Sequence, residues 1–291
     1  MTEKGAAGRW MITGVSGGLG RALAETVLDG GGTVVGTFRD KEQASAFEES
    51  APGRSFAVLL DATDPADVLA ERVGEAVRLA GHLDVLVNNA GYGLLGAVEE
   101  VSDEEARHQM DTNFSGPLRL IRAVLPHFRE RGRGHIVNVS SIAGFTGQPG
   151  LGLYNASKFA LEGLSEALRH ELAPFGIRVT IVEPGAFRTR WAGAGLKRAA
   201  RAIAEYEAVA AIAGGLERLD GAQQGDPRRA AQVIVQAVAA DDPPVRLPLG
   251  RDAVKSVRGK LASVERELDA WEEAAHSTAF PSAGRPAGGE G

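Results

Sequence analysis

The sequence predicts a single-domain α/β fold: a doubly wound parallel sheet of about seven strands with helices on both faces. Three observations predict it. Short Val/Ile/Leu-rich runs recur through residues 9–185, continuous rather than alternating, as in strands buried on both faces. Longer segments of helical period separate these runs, and right-handed crossovers through such helices join parallel neighbours. The alternation runs unbroken over residues 9 to about 185, and residues 1–275 read as one domain with 276–291 as a flexible tail.

The elements follow in order. RWMIT at 9–13 is the first strand and runs into a Gly-rich turn. Residues 18–29 read as a helix with Leu19, Leu23, Val27 and Leu28 on one side. TVVGT at 33–37 and FAVLL at 56–60 are the next strands. Asp64-Pro65 opens a helix to about residue 80, with Asp64 as N-cap and Pro65 at the first helical position. LDVLV at 83–87 is the fourth strand. Residues 102–131 read as one long helix opened by a capping box at Ser102 and Glu105. HIVNV at 135–139 is a strand, 151–173 a helix ending before Pro174, and IRVTIV at 177–182 a strand.

Residues 190–225 are rich in Ala and Gly, weakly helical and without a β-run. Two readings stand for them: a surface helical pair, or a substrate lid beside the ligand crevice. A helix follows at 226–240, again from an Asp-Pro start. Residues 245–247 read as a short edge strand among prolines, 251–273 as a C-terminal helix and 281–291 as a frayed tail.

Composition excludes several classes. The 291 residues carry 32 basic and 38 acidic side chains, a formal charge of −6, which argues against a nucleic-acid binder. With no cysteine there is no disulfide, thiolate metal site or cysteine nucleophile. The six histidines are scattered without metal-ligand spacing. The polar start MTEKGAAGRW lacks the apolar core of a signal peptide, and no run is long enough to span a membrane, so a cytoplasmic location is expected.

Thr13-Gly14-Val15-Ser16-Gly17-Gly18-Leu19-Gly20 joins the first strand to the first helix. In that setting glycines permit a tight turn and let backbone N–H groups approach a pyrophosphate at a helix N-terminus. At the end of the second strand, where an acid would accept ribose hydroxyls and repel a 2′-phosphate, stands Thr37-Phe38-Arg39. Arg39 offers a planar fork suited to phosphate, and Ser16 can donate to the same group. This favours NADP(H), with NAD(H) as the other possibility. Asp40 complicates the reading, because Arg39 and Asp40 could simply pair on the surface.

Tyr154 and Lys158 stand four apart on a predicted helix and therefore share a face. An ammonium beside a tyrosine hydroxyl stabilises phenolate, so Lys158 is expected to lower the Tyr154 pKa. Alone, such a pair is equally an amphipathic face with a snorkelling lysine. Ser141 and Asn88-Asn89-Ala90-Gly91 lie just past strand ends, where open parallel sheets place ligands, and Asn113 sits in a polar cluster within a helix.

Taken in order, TGVSGGLG, NNAG, Asn113, Ser141, YNASK and PGAFRT make the chain resemble the short-chain dehydrogenase/reductase family over Thr13 to Thr189. A softer likeness, in NNAGYGLLGAVEE and in the C-terminal QGDPRRAAQ and PPVRLPLG, points to its 17β-hydroxysteroid-dehydrogenase-like branch. The resemblance implies a Rossmann-type fold and hydride transfer between a nicotinamide and a ketone, aldehyde or alcohol. By that resemblance Tyr154 is the general acid/base. Lys158 holds the nicotinamide ribose, Ser141 bonds the substrate oxygen and Asn113 holds a relay water. Gly14, Ser16, Gly18, Leu19 and Gly20 line the pyrophosphate and adenosine side. Asp61 meets the adenine amine beside Ala62. Asn89, Ala90 and Gly91 run along the cofactor, with Asn89 the more structural. Pro184, Gly185 and Thr189 frame the nicotinamide.

Tyr92, Phe145, Leu151, Leu153 and Trp191 flank these motifs and could line a pocket for a hydrophobic small molecule, or serve as core. Arg188 and Arg190 read as exposed lid charges, and the acidic run at Glu99–Glu105 as a solvated helix start. The resemblance further implies a homodimer or homotetramer through the helices at 102–131 and 151–173. A dinucleotide-binding sensor without turnover is the alternative from another class.

Overall fold

Successive side chains of each strand point to opposite faces, and both faces are apolar, so the sheet must be covered twice. The computed structural model describes residues 7–280. Its main sheet contains β1 (Arg9–Ile12), β2 (Thr33–Phe38), β3 (Ser55–Leu59), β4 (Val85–Asn88), β6 (Gly134–Val139), β7 (Ile177–Pro184) and β9 (Arg246–Leu249). The order is β3-β2-β1-β4-β6-β7-β9, and every pair is parallel. Trp10, Ile12 and Val87 enter one core with α1 (Gly18–Asp29) and α8 (Pro227–Ala239). Met11, Leu86 and Ile136 enter the other with α3 (Ala66–Ala80), α5 (Gly116–Arg131) and α6 (Gly152–Leu172). The expected doubly wound, seven-stranded sheet is therefore present.

Several local expectations are corrected. A helix unread in the sequence, α2 (Lys41–Ser50), follows β2. It buries only Ala44, so it shows no strong apolar stripe, and Asp40 caps it by accepting from the Gln43 N–H at 2.9 Å. Asp64 is not an N-cap. It accepts from the Asp61 N–H at 3.0 Å inside the loop, and α3 starts one residue after Pro65. The long helix at 102–131 is broken: α4 (Asp103–Met110), with its capping box intact, leads into one wide π turn (Asp111–Ser115) before α5.

Residues 190–225 do contain a strand. β8 (Leu196–Arg198) pairs in parallel with β5 (Gly93–Leu95), and α7 (Glu207–Leu219) follows. Neither three-residue strand carries an apolar run, so only the tertiary pairing reveals them. β9 is the edge strand, with Pro248 in it. The C-terminal helix α9 (Arg251–His276) runs slightly beyond the predicted end. The tail expected at 281–291 lies outside the described residues. No helix among the described residues is long and apolar enough to cross a membrane.

Candidate active site

The Gly-rich turn forms at the C-terminal end of β1, where Gly14 and Gly18 adopt φ of +71° and +58°. Neighbouring polar groups lock it. The Thr13 hydroxyl accepts from the N–H groups of Asn89 and Ala90, both at 2.9 Å. The Asn89 amide donates to the Thr13 and Gly14 carbonyls at 2.8 and 3.2 Å, and a Cβ on Gly20 would strike it. Asn89 thus holds the turn.

α1 begins after Gly17, at the Gly-rich turn, with no side-chain cap and no acid in its first turn. Its first N–H groups are therefore left for an anion, which suits a pyrophosphate. Leu19 packs partly buried on the core below. Thr189 reaches over Gly18. Arg190 donates to the Ser16 carbonyl at 3.0 Å and fills the space a Cβ on Gly17 would need. Arg190 is thus a clamp on the turn rather than a detached lid charge.

At the adenosine end, Asp40 is occupied with its helix cap and does not neutralise Arg39. Arg39 instead lies 3.7 Å from Asp61 and is largely exposed. Burial pushes the Asp61 carboxyl up, but donors from Thr63 and the Arg39 charge outweigh it and leave the pKa below the usual value. Ala62 is buried where Gly116 opens α5, so close that a Cβ on Gly116 would meet the Ala62 backbone.

The strand ends bring Ser141, Tyr154, Lys158 and Asn113 together. Ser141 starts a short 3-10 turn and caps it through the Ala143 N–H at 3.1 Å. Tyr154, on α6, is buried in the same apolar cluster as Ala143, and Ser141 opposes the upward push of burial on its pKa. Lys158 donates to the Val139 carbonyl at 2.8 Å and stands 5.9 Å from the Tyr154 ring centroid. Asn113, in the π turn, donates to the Tyr92 carbonyl at 3.0 Å and to the Ser157 hydroxyl at 3.1 Å. The widened turn is what aims this amide inward. Gly91 passes so close that a Cβ there would lie 3.0 Å from Asn113 and 3.6 Å from the Lys158 ammonium.

The expected lowering of the Tyr154 pKa is corrected. Burial pushes Tyr154 up to about 12, with Ser141 opposing it, because the phenol is removed from water. The same burial pulls Lys158 down to about 8, with Glu162 opposing it.

Pro184 ends β7, and the Gly185 N–H donates to the Leu249 carbonyl at 2.9 Å. Asp252 fills the space beside Gly185 and accepts from the Ala186 N–H at 2.7 Å, so α9 props the loop that carries Thr189.

A partly buried ionic network joining α6, β7 and β9 carried no pattern in the sequence beyond a single spacing. Arg246 of β9 bonds Glu162 at 2.7 Å, Glu166 at 2.8 Å and also Glu183. Glu162 follows Lys158 by one helical turn, and that spacing was the available signal. Burial pushes Glu162 up, and it pushes Glu183 up to about 6.

The segment after Thr189 covers the site. Trp191, Leu196, Ile212, Ala213 and Leu216 pack with Leu95, Ala143, Leu151 and Tyr154 in one apolar cluster. The Trp191 and Tyr154 rings lie 5.4 Å apart. Leu151 and Trp191 are therefore at the site, whereas Phe145 faces Arg246 and Tyr92 faces Lys197. The acidic run is not simply solvated. Glu99, Glu100 and Glu105 accept from Tyr206, Ile203 and Ala200 and hold the covering segment. An open cleft of about 560 Å³ runs between Gly18, residues 188–190, Gly193 and Gly221.

Comparison with known proteins agrees with this geometry. Residues 9–199 match the short chain dehydrogenase family model. The chain is 38% identical over 266 residues to "Oxidoreductase BOA17" of Botryotinia fuckeliana, covering 91% of this chain and 96% of that one. It is 42% identical over 179 residues to a 3-ketodihydrosphingosine reductase of Bacteroides thetaiotaomicron, covering 62% and 64%. A crystal structure of a short-chain dehydrogenase from Streptomyces avermitilis superposes with a TM-score of 0.87 at 40% identity, covering 94% of this chain and all of that one. Fold, motif order and sequence similarity agree: the chain belongs to the short-chain dehydrogenase/reductase family and is an NAD(P)-dependent oxidoreductase of the CH–OH/C=O pair.

Proposed function

We propose that the protein reduces the carbonyl of a hydrophobic ketone or aldehyde with NADPH, Tyr154 acting as the proton donor. The observation that carries this reading is the Ser141–Tyr154 pair set against an apolar wall. Two hydroxyls there can bond one carbonyl oxygen. With its pKa near 12, Tyr154 stays protonated at neutral pH, the form that donates in a reduction. Bound nicotinamide supplies the hydride.

Lys158, cationic below about pH 8, holds ribose hydroxyls beside Tyr154 in this reading. Asn113 fixes the Tyr92 backbone and Ser157, keeping the floor beneath Lys158 rigid, and the relay water assigned to it belongs to this same reading. Gly14, Ser16, Gly18, Leu19 and Gly20 form the pyrophosphate cradle at the uncapped α1 terminus. Asp61, Ala62, Ala90, Gly91, Pro184, Gly185 and Thr189 complete the cofactor groove. Arg39, free of Asp40, is the phosphate-binding cation that favours NADPH over NADH. Residues 190–225 act as the substrate lid, excluding water from the Tyr154 side through Trp191 and α7. The apolar wall suits a greasy substrate, in keeping with a relative named for reduction of a keto compound. The α4–α6 helices supply a face for homo-oligomer formation.

The test is absorbance of the reduced nicotinamide with NADPH or NADH against a panel of ketones and aldehydes. NADPH oxidation should need both a carbonyl and Tyr154, with Tyr154→Phe lowering turnover by about 10²–10⁴-fold while cofactor still binds. Turnover surviving in Tyr154→Phe would refute the assignment.

A further inference from the structure

α9 leaves the body of the protein and presents an apolar stripe that nothing among the described residues covers. Only its first turns are anchored: Ala253 is fully buried, and the Ser256 and Thr146 hydroxyls lie 3.5 Å apart. Every residue from Val264 to His276 is exposed. That is roughly 20 Å of free helix at 1.5 Å per residue, a length that is marginal in water without a packing partner.

The exposed apolar residues are not scattered. Val254, Leu261, Val264, Leu268 and Trp271, together with the half-buried Val257, recur at alternating spacings of three and four, the two seam positions of a heptad held for three repeats. Leu261, Leu268 and Trp271 are 55%, 66% and 71% exposed, which is costly for side chains of this size unless they are covered.

We propose that α9 is a homotypic interface, pairing antiparallel with the α9 of a second copy of this chain as a two-stranded coiled coil. The charge pattern selects the partner and its direction. The first half of the helix carries Arg251, Lys255, Arg258 and Lys260 with one acid, Asp252, and the second half Glu265, Glu267, Asp269, Glu272 and Glu273 with one base, Arg266. A two-fold axis between Ala262 and Ser263 sets Val254 opposite Trp271 of the second copy, Val257 opposite Leu268 and Leu261 opposite Val264. The flanking positions then meet as Arg251 with Glu272, Arg258 with Glu265 and Lys260 with Glu267, opposite in sign at every charged pair. A parallel pairing would instead set Glu267 against Glu272.

Other occupants fit less well. Residues 281–291 contain no Val, Leu, Ile, Met or aromatic side chain with which to fill the seam. The helix has six acidic and five basic residues, so an anionic membrane would not attract it.

Sedimentation velocity on the full chain tests the proposal. Leu261→Glu with Leu268→Glu should halve the number of subunits in the assembly. Arg258→Glu alone should weaken it, and adding Glu265→Arg should restore it, which neither an unfolded chain nor a parallel pair would do. The chain has no cysteine, so introduced ones read the geometry cleanly. Val254→Cys together with Trp271→Cys should oxidise to a covalent dimer. Each alone should not, because like positions lie roughly 25 Å apart along an antiparallel pair. A monomeric parent, an assembly unchanged by the two glutamates, or cross-linking by Trp271→Cys alone overturns the proposal.

Discussion

Ser140 donates its hydroxyl hydrogen to Glu162 at 2.6 Å, and this bond joins the two halves of the candidate site. Ser140 precedes Ser141 at the end of β6, and Glu162 follows Lys158 by one turn of α6. The strand end and the helix are therefore held in register by a buried carboxylate, not by apolar packing alone. Gly144 lies against the same carboxylate and leaves no room for a Cβ.

Glu162 opposes the burial that depresses the Lys158 pKa. Replacing it by Gln keeps the hydrogen-bonding shape and removes the charge. The alkaline limb of kcat/KM, set by loss of the Lys158 proton near pH 8, should move to lower pH in Glu162→Gln. A pH–rate profile of both proteins checks this, and a limb that stays in place means that Lys158 does not control it.

Arg246 compensates Glu162 and Glu183, whose side chains are 3% and 1% exposed. Arg246→Met leaves these carboxylates buried without their cation. Removing one partner of such a group typically costs about 3–5 kcal/mol. Urea denaturation should show a loss of that order, partly recovered by adding Glu183→Gln, which removes a charge that no longer has a partner.

In the proposed function Arg39 separates the two nicotinamide dinucleotides. A charge-assisted bond to a 2′-phosphate contributes about 1.5–3 kcal/mol, so Arg39→Ala should raise the KM for NADPH about 10- to 100-fold. The KM for NADH should hardly change. Equal changes for both would remove Arg39 from the phosphate site.

His135 predicts how stability responds to acid. Burial pulls its pKa down to about 4, with Arg178 adding to the effect, and its ring bonds Thr180 at 2.9 Å. Between pH 6.5 and 4 the unfolded chain takes up a proton at this site and the folded chain does not. More protons bound to the unfolded state means that stability rises with pH in this window and is lost as pH falls through it. The loss from this group is about 3 kcal/mol. Stability measured across the window should fall less steeply in His135→Gln.

Local patterns were legible where the chemistry is local. The alternation of apolar runs with helical segments, the φ > 0 glycines of the first turn and the Ser102 capping box each depend on residues close in sequence. α2 escaped because a surface helix that buries one alanine carries almost no periodic signal. The π turn at Asn113 escaped because one widened turn leaves a helical pattern nearly unchanged. Asp40 read as a rival for Arg39 until the helix it caps was seen.

The sequence by itself determined the sheet, the Gly-rich turn at its mouth and the order of polar residues at strand ends, because propensity and periodicity act over a few residues. Tertiary structure decided the rest. It set Arg246 against Glu162 across 84 residues and Arg190 against Ser16 across 174. It also decided the protonation of the site, pushing Tyr154 up and Lys158 down, because desolvation depends on what surrounds a group in space. A charge and its partner attract through space whatever their separation along the chain, and only the folded packing brings them within reach.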